Sequence, residues 1–87
     1  MADDELPALP GFHQMAQQRR RLLAELVERR RAAGLTQTEV AARMGTSQPA
    51  IARLEAGDVD ARVSTVERYA AAVGFRVELR LRTGHDE

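Results

Sequence analysis

The chain has 87 residues, 44% of them hydrophobic, with 13 basic and 13 acidic side chains and a formal net charge of zero. This length allows one small domain with a modest core, and the absence of cysteine excludes disulfide bonds and thiolate metal sites. Since no apolar run approaches the roughly 20 residues of a membrane-spanning helix and no signal-peptide core follows the first residues, we expect a soluble, cytoplasmic protein.

The zero net charge conceals an uneven distribution. Five of the acidic residues lie at the two ends, whereas all 13 basic residues are arginines between Arg19 and Arg82. Residues 6–85 therefore contain 13 arginines against eight acidic residues, a net charge of +5. This excess is compatible with a polyanionic partner, and equally with a solvated arginine-rich surface.

The first predicted helix follows an acidic segment. Residues 1–12 contain two prolines and show no helical period, so we predict a flexible acidic N-terminal tail. Residues 13–33 have helical spacing of apolar residues and end at a glycine, Gly34. Their first part, residues 13–21, is poor in apolar side chains, which leaves both a helix and a contact arm open.

Two short helices are predicted within residues 35–57. Thr36 and Glu39 have the spacing of a capping box at the start of the first helix, and Gly45 is suited to the positive φ that ends it. Ser47 can cap the second helix. Two capped helices joined by a turn that contains glycine are typical of a helix-turn-helix.

Two charges fall on apolar helix faces. Arg30 continues the apolar stripe of the first helix, four residues after Leu26, and Glu55 lies four residues after Ile51. A charge on a core face needs a partner. We therefore predict a structural ion pair between Arg30 and Glu55.

A fourth helix and a strand complete the predicted fold. Ser64 and Glu67 have the spacing of a second capping box, and the helix ends at Gly74. Residues 75–82 alternate apolar and charged side chains, which predicts a β-strand, before a short tail at residues 83–87. The apolar members of the strand are Phe75, Val77, Leu79 and Leu81.

The expected fold is therefore mainly α: a four-helix domain over residues 13–74, with one C-terminal strand. A lone strand leaves its backbone groups and its apolar face without partners. The same strand of a second subunit is the simplest partner, and would make the protein a homodimer. The edge of another protein's sheet is the alternative.

The short helices also carry a family resemblance. It extends over roughly residues 22–74 and resembles the phage-repressor/Cro (XRE) family of helix-turn-helix DNA-binding domains. The residues that match within the motif are Leu35-Thr36-Gln37, Val40-Ala41, Gly45, Ser47-Gln48, Ile51, Leu54-Glu55 and Gly57.

This resemblance implies that the second motif helix enters the major groove of double-stranded DNA. The implied base-contacting residues are Gln48, Pro49, Ala50 and Arg53, and the implied phosphate-contacting residues are Gln37, Arg43, Thr46, Ser47 and Arg62. The same side chains on an exposed helix can instead be ordinary solvated surface, and for the arginines this alternative stays open.

No feature of the sequence favours an enzyme. It lacks a glycine-rich phosphate loop, metal-ligand spacing and a nucleophile with its base, and His13 and His85 are isolated. We expect neither a cofactor nor a metal. Two functions remain: a homodimeric repressor acting on a palindromic operator, or an antitoxin, similar to the HigA and HipB types, that sequesters a toxin and represses its own operon.

Overall fold

The computed structural model describes residues 11–83, which form four α-helices. They are α1 (Phe12–Ala32), α2 (Gln37–Met44), α3 (Gln48–Ala56) and α4 (Val63–Val73). The mainly α prediction is thus confirmed. Residues 1–10 of the predicted tail and residues 84–87, including His85, lie outside the described residues.

Helix α1 begins one residue earlier than predicted, because Phe12 is already helical. Gly11 precedes it with φ 77°, a conformation that glycine adopts without strain, and its carbonyl accepts a hydrogen bond from the Met15 amide at 2.9 Å. Residues 13–21 are therefore part of a continuous helix.

The core lies where α1 and α2 meet α4, with α3 packed against both α1 and α2. The largest fully buried side chains come from three helices and are Val40, Ile51, Val66 and Tyr69. Apolar burial of this kind is the main favourable contribution to folding. Among the described residues, no helix is both long and apolar enough to cross a lipid bilayer.

The predicted start of α4 is wrong. The helix begins at Val63, and Arg62 is its N-cap residue with an extended backbone and without a side-chain cap. The Val66 amide donates to the Arg62 carbonyl at 3.0 Å, so the first helical bond forms without Ser64. Since Ser64 lies inside the first turn, it lacks the extended backbone that a capping side chain requires.

Residues 75–83 follow α4 without hydrogen-bonded secondary structure in the described chain. Gly74 ends the helix with φ 95°, and Val77 packs against the core. Leu79 and Leu81 are 67% and 100% exposed. Because a strand is defined by its pairing with another strand, the predicted strand stays a prediction.

Candidate nucleic-acid interface

The turn between α2 and α3 determines how these helices meet. Gly45 has φ 70°, and its amide donates to the Ala42 carbonyl at 3.2 Å, while the Thr46 amide donates to the Ala41 carbonyl at 2.9 Å. These two bonds satisfy carbonyls that the end of a helix leaves free. The chain thereby reverses tightly, and α3 packs against α2.

The N-termini of both helices are capped by side chains. The Glu39 amide donates to the Thr36 hydroxyl at 3.0 Å, and the Thr36 amide donates to the Glu39 carboxylate at 2.8 Å, as the capping box predicts. Hydrogen bonding with the backbone of Thr36 and, to a smaller extent, with its side chain lowers the pKa of the Glu39 carboxyl. In α3, the Ser47 hydroxyl accepts from the Ala50 amide at 3.2 Å.

Two glutamines join the helix N-termini. Gln48, the first residue of α3, donates through Nε2 to Oε1 of Gln37, the first residue of α2, at 2.7 Å. An open surface depression is lined by these two side chains together with Arg31, Thr36 and Thr38. Polar side chains, an arginine and two helix N-termini therefore converge on one face, a combination that suits an anion.

Behind this face lies a buried carboxylate, Glu55, in α3. Arg30 donates to it through Nε at 2.7 Å and through Nη2 at 2.9 Å, and the two side chains are 9% and 5% exposed. A bidentate arginine–carboxylate pair is among the strongest hydrogen-bonded arrangements in proteins. The structure thus brings together the two charges that the sequence places on apolar faces.

Two further donors reach the same carboxylate. Gln37 donates through Nε2 at 3.0 Å, and the hydroxyl of the buried Tyr69 donates at 2.5 Å. We call these four side chains, Arg30, Gln37, Glu55 and Tyr69, the Glu55 network. Because the network includes Gln37, it fixes the side chain to which Gln48 is bonded.

The pKa values in the network reflect this pairing. Burial alone would raise the pKa of Glu55, but the hydrogen bonds from Arg30, Tyr69 and Gln37 together lower it. Burial raises the pKa of Tyr69 well above its usual range, and the bond to Glu55 raises it further. Glu55 is therefore ionised and Tyr69 neutral at physiological pH.

The predicted base-contacting residues lie on the outer side of α3. Gln48, Pro49 and Arg53 are exposed, and Ala50 is half-buried. The opposite side of the helix is anchored by Ile51 and Leu54, which are 1% and 5% exposed. The exposed side chains are thus held on a rigid support, which base recognition requires.

Among the predicted phosphate-contacting residues, Arg43 has an intramolecular role. It donates through Nη1 to the Ala72 carbonyl at 2.7 Å, near the end of α4. Arg68, in α4, makes the reciprocal contact: its Nη2 donates to the Met44 carbonyl, at the end of α2, at 2.6 Å. Each arginine therefore supplies a cation to the negative end of the other's helix. Thr46, Ser47 and Arg62 are exposed.

The loop that carries Arg62 is tied to α1. Arg19 donates through Nε to the Ala61 carbonyl at 3.1 Å, and its Nη2 lies 3.7 Å from the carboxylate of the exposed Asp60. This contact keeps the helical N-terminal half of α1 against the loop between α3 and α4. Arg19 thus has a structural partner that its sequence context, a run of three arginines, did not indicate.

The polar role of Tyr69 was not predicted from the sequence. A usable signal exists, because a tyrosine predicted to be fully buried needs a partner for its hydroxyl. The two charges predicted on apolar helix faces, Arg30 and Glu55, were the candidates for that partner. The link between Gln37 and Glu55 had no comparable signal, since it depends on how α2 sits over α3.

Comparison with known proteins gives two kinds of match. A family model described as "Helix-turn-helix" matches residues 26–79. The chain is also 39% identical over 75 residues to two proteins called "Antitoxin HigA1", from Mycobacterium tuberculosis strains CDC 1551 / Oshkosh and ATCC 25618 / H37Rv. Each alignment covers 86% of this chain and 50% of the relative. The chain thus spans about half the length of the curated relatives it matches.

Proposed function

This chain belongs to the helix-turn-helix family of the phage-repressor/Cro (XRE) type, and from that premise we propose that it is a homodimeric repressor. It binds a palindromic operator in double-stranded DNA and acts in the cytoplasm on the nucleoid. Family membership confirms the resemblance seen in the sequence and agrees with the expectation of a DNA-binding protein that is not an enzyme.

The observation that carries the proposal is the geometry of α3. Its first turn is exposed at Gln48 and Pro49 and capped by Ser47, while its inner side is fixed by core contacts. We assign base contacts in the major groove to Gln48, Pro49, Ala50 and Arg53. Gln48 suits adenine and Arg53 suits guanine, because each can form two hydrogen bonds to that base.

Phosphate contacts follow from the helix N-termini. Gln37 begins α2, and Thr46 and Ser47 precede α3, where amide groups and the helix dipole favour an anion. Arg62, exposed at the start of α4, adds a positive charge on the neighbouring loop. Arg43 is the weakest candidate of the set, because contacting a phosphate would compete with its hydrogen bond to Ala72.

The homodimer is proposed from residues 75–82. Phe75, Leu79 and Leu81 are exposed in the single chain, and Val77 is only partly buried. Pairing this segment with that of a second copy would satisfy its backbone and cover these side chains. A two-fold axis would then place the two α3 helices about 34 Å apart, one turn of DNA, which demands a palindromic site.

Selection of bound duplexes from a random DNA library tests this proposal. We expect enrichment of inverted repeats whose half-site centres lie about one helical turn apart. The matched control is a chain with Gln48→Ala and Arg53→Ala, which should lose the enrichment while remaining folded. Enrichment without inverted symmetry would contradict the palindrome, and no enrichment at all would contradict sequence-specific binding.

A second candidate function is favoured by the two relatives, which are called antitoxins. In this second function, the chain binds and sequesters a toxin, and it represses the operon that encodes the toxin and the chain itself. Co-expression with the product of the neighbouring reading frame tests it. Growth arrest by that product alone, relieved by this chain, would support the antitoxin function, and a harmless neighbour would count against it.

A further inference from the structure

We infer that residues 75–82 pair with the same segment of a second copy in one antiparallel register, with Leu79 opposite Leu79. The inference rests on the homodimer proposed above and defines its interface. It is drawn from the charges of the segment and from the burial of its apolar side chains, which together discriminate among the possible registers.

Antiparallel pairing about a two-fold axis allows few registers. Successive side chains of a strand point to opposite faces, and the apolar residues of this segment occupy every second position. The apolar residues of both copies therefore share a face only in a register in which one residue lies at the two-fold axis, opposite the same residue of the second copy. The candidate central residues are Val77, Glu78, Leu79 and Arg80. Each choice gives a different set of opposing charges.

Opposing charges exclude two of these registers. A centre at Glu78 would place that carboxylate opposite its own copy and Arg76 opposite Arg80 twice. A centre at Arg80 would place two arginines opposite each other at the axis. Like charges directly opposite are destabilising in a sheet.

Two registers give favourable charge pairs without a like-charge pair at the axis. A centre at Leu79 places Glu78 opposite Arg80 twice, and a centre at Val77 places Glu78 opposite Arg76 twice. Charge complementarity at the axis therefore restricts the interface to these two arrangements, and burial must decide between them.

Burial favours the centre at Leu79. Leu81, which is 100% exposed, then lies opposite Val77 of the second copy, which packs on its own core, so Leu81 extends that core. With Val77 at the centre, the position opposite Leu81 would be residue 73, which is still in α4, and Leu81 would remain uncovered.

The chosen register has one unfavourable feature. Arg76 faces Arg82 of the second copy at each end of the ribbon, by which we mean the two paired segments of residues 75–82. Both positions are exposed, and solvent and salt screen such charges. Val77, Leu79 and Leu81 of each copy lie opposite apolar residues, and Phe75 lies opposite Thr83, where its ring already has the Arg29 guanidinium 5.5 Å from its centroid.

Disulfide trapping tests the register, because the natural chain contains no cysteine. Directly opposite residues have Cα atoms about 4.5–5.5 Å apart, within disulfide range. Leu79→Cys should therefore form linked dimers rapidly under mild oxidation, and Ala42→Cys, exposed on α2, is the control. Val77→Cys should not link to itself, since its two copies would lie about 13 Å apart along the ribbon. A mixture of Val77→Cys and Leu81→Cys should give the mixed dimer.

Charge reversal provides a second measurement. Arg80→Glu should weaken dimerisation about tenfold, since it makes two central pairs repulsive, and adding Glu78→Arg should restore it. Arg76→Glu should leave the dimer intact or strengthen it, because the new glutamate faces Arg82. In the register centred on Val77, Arg76→Glu would be the disruptive change.

The outcomes separate the register from the dimer itself. Rapid self-linkage of Val77→Cys, or disruption by Arg76→Glu, would overturn the register and keep the ribbon. A dimeric wild type in which no cysteine of the segment links faster than Ala42→Cys would overturn the ribbon. A monomeric wild type in sedimentation would overturn the proposed homodimer.

Discussion

The helical body and the C-terminal segment differ in how far their polar and apolar groups find partners within the chain. In the four helices, every buried side-chain nitrogen or oxygen of the described residues has a hydrogen-bond partner, and the apolar faces cover one another. In residues 75–83 the backbone has no strand partner in the described chain, and Leu81 is fully exposed. The sequence therefore encodes a self-contained helical domain followed by a segment whose partner, in our proposal, is another chain.

The largest effect is expected from making the C-terminal segment polar: a chain with Leu79→Asp and Leu81→Asp should lose the dimer. Even half of the roughly 1.5 kcal/mol per buried side chain, over four side chains, is about 3 kcal/mol, or a hundredfold in the dissociation constant. Sedimentation measures the dimer, and gel shifts compare a full palindrome with one half-site.

The helices should be indifferent to that change, because both leucines are exposed in the single chain. Far-ultraviolet circular dichroism should therefore be unaltered. Met15→Asp is the matched control, since Met15 is an exposed apolar residue of α1, 49% accessible, outside the segment. If the dimer survives the leucine changes, or is lost with Met15→Asp, the C-terminal segment is not the part of the chain that holds the dimer together.

Within the body, changing the pair of Arg30 and Glu55 should have the largest effect on stability. Removing either partner leaves a buried charge and should cost about 3–5 kcal/mol of unfolding free energy. Arg30→Met with Glu55→Gln together should cost clearly less than the sum of the single changes. Denaturant unfolding of all four chains measures the coupling, and additive losses would mean that the contact contributes nothing.

The exposed residues of α3 should affect DNA binding and leave stability unchanged. Gln48→Ala or Arg53→Ala should each weaken cognate binding by about 1–3 kcal/mol and relax preference at one base pair per half-site. Gln37→Ala should weaken binding on all sequences, as expected of a phosphate contact. Titration of cognate and random duplexes distinguishes them, and equal losses on both duplexes for Gln48→Ala would contradict base recognition.

The smallest expected effect is on the pH dependence of stability. Glu55 has a lowered pKa, so it stabilises the fold fully above its unfolded value of 4.5 and progressively less as the pH falls through its folded value. Tyr69 has a raised pKa, so its contribution is complete below 10.0 and is lost only at more alkaline pH.

Glu55→Gln should therefore flatten the acid limb of a melting-temperature profile, and Tyr69→Phe the alkaline limb. Glu39→Gln is the control, because the Glu39 carboxylate also has a lowered pKa but is exposed, where solvent weakens its effect on stability. An acid limb that is unchanged by Glu55→Gln would show that Glu55 is not the group that titrates.

Much of the body could be predicted from the sequence because its signals are local. The capping box at Thr36 and the glycine at position 45 depend only on nearby backbone groups. The ion pair was predictable for another reason: a charge on a helix's apolar stripe is conspicuous, and the core offered only one opposite charge.

The contacts that could not be predicted depend on tertiary geometry. Arg43 and Arg68 cap helices that lie far away in sequence, and an exposed arginine suits a carbonyl as well as a phosphate. The start of α4 was misjudged because Ser64 and Glu67 have cap spacing by coincidence. The register of the C-terminal segment involves a second chain, which no local pattern contains.

The Glu55 carboxylate has a consequence for how the domain opens. Its bonds reach Arg30 in α1, Gln37 in α2 and Tyr69 in α4, while Glu55 itself belongs to α3. No single helix of the domain can detach without breaking a hydrogen bond to this charged group in a dry interior, which costs more than the fraying of an exposed helix. The amide protons at the C-terminal end of α3 should therefore exchange with solvent only when the whole domain unfolds, so that the helix to which we assign the base contacts belongs to the slowest-exchanging unit of the molecule.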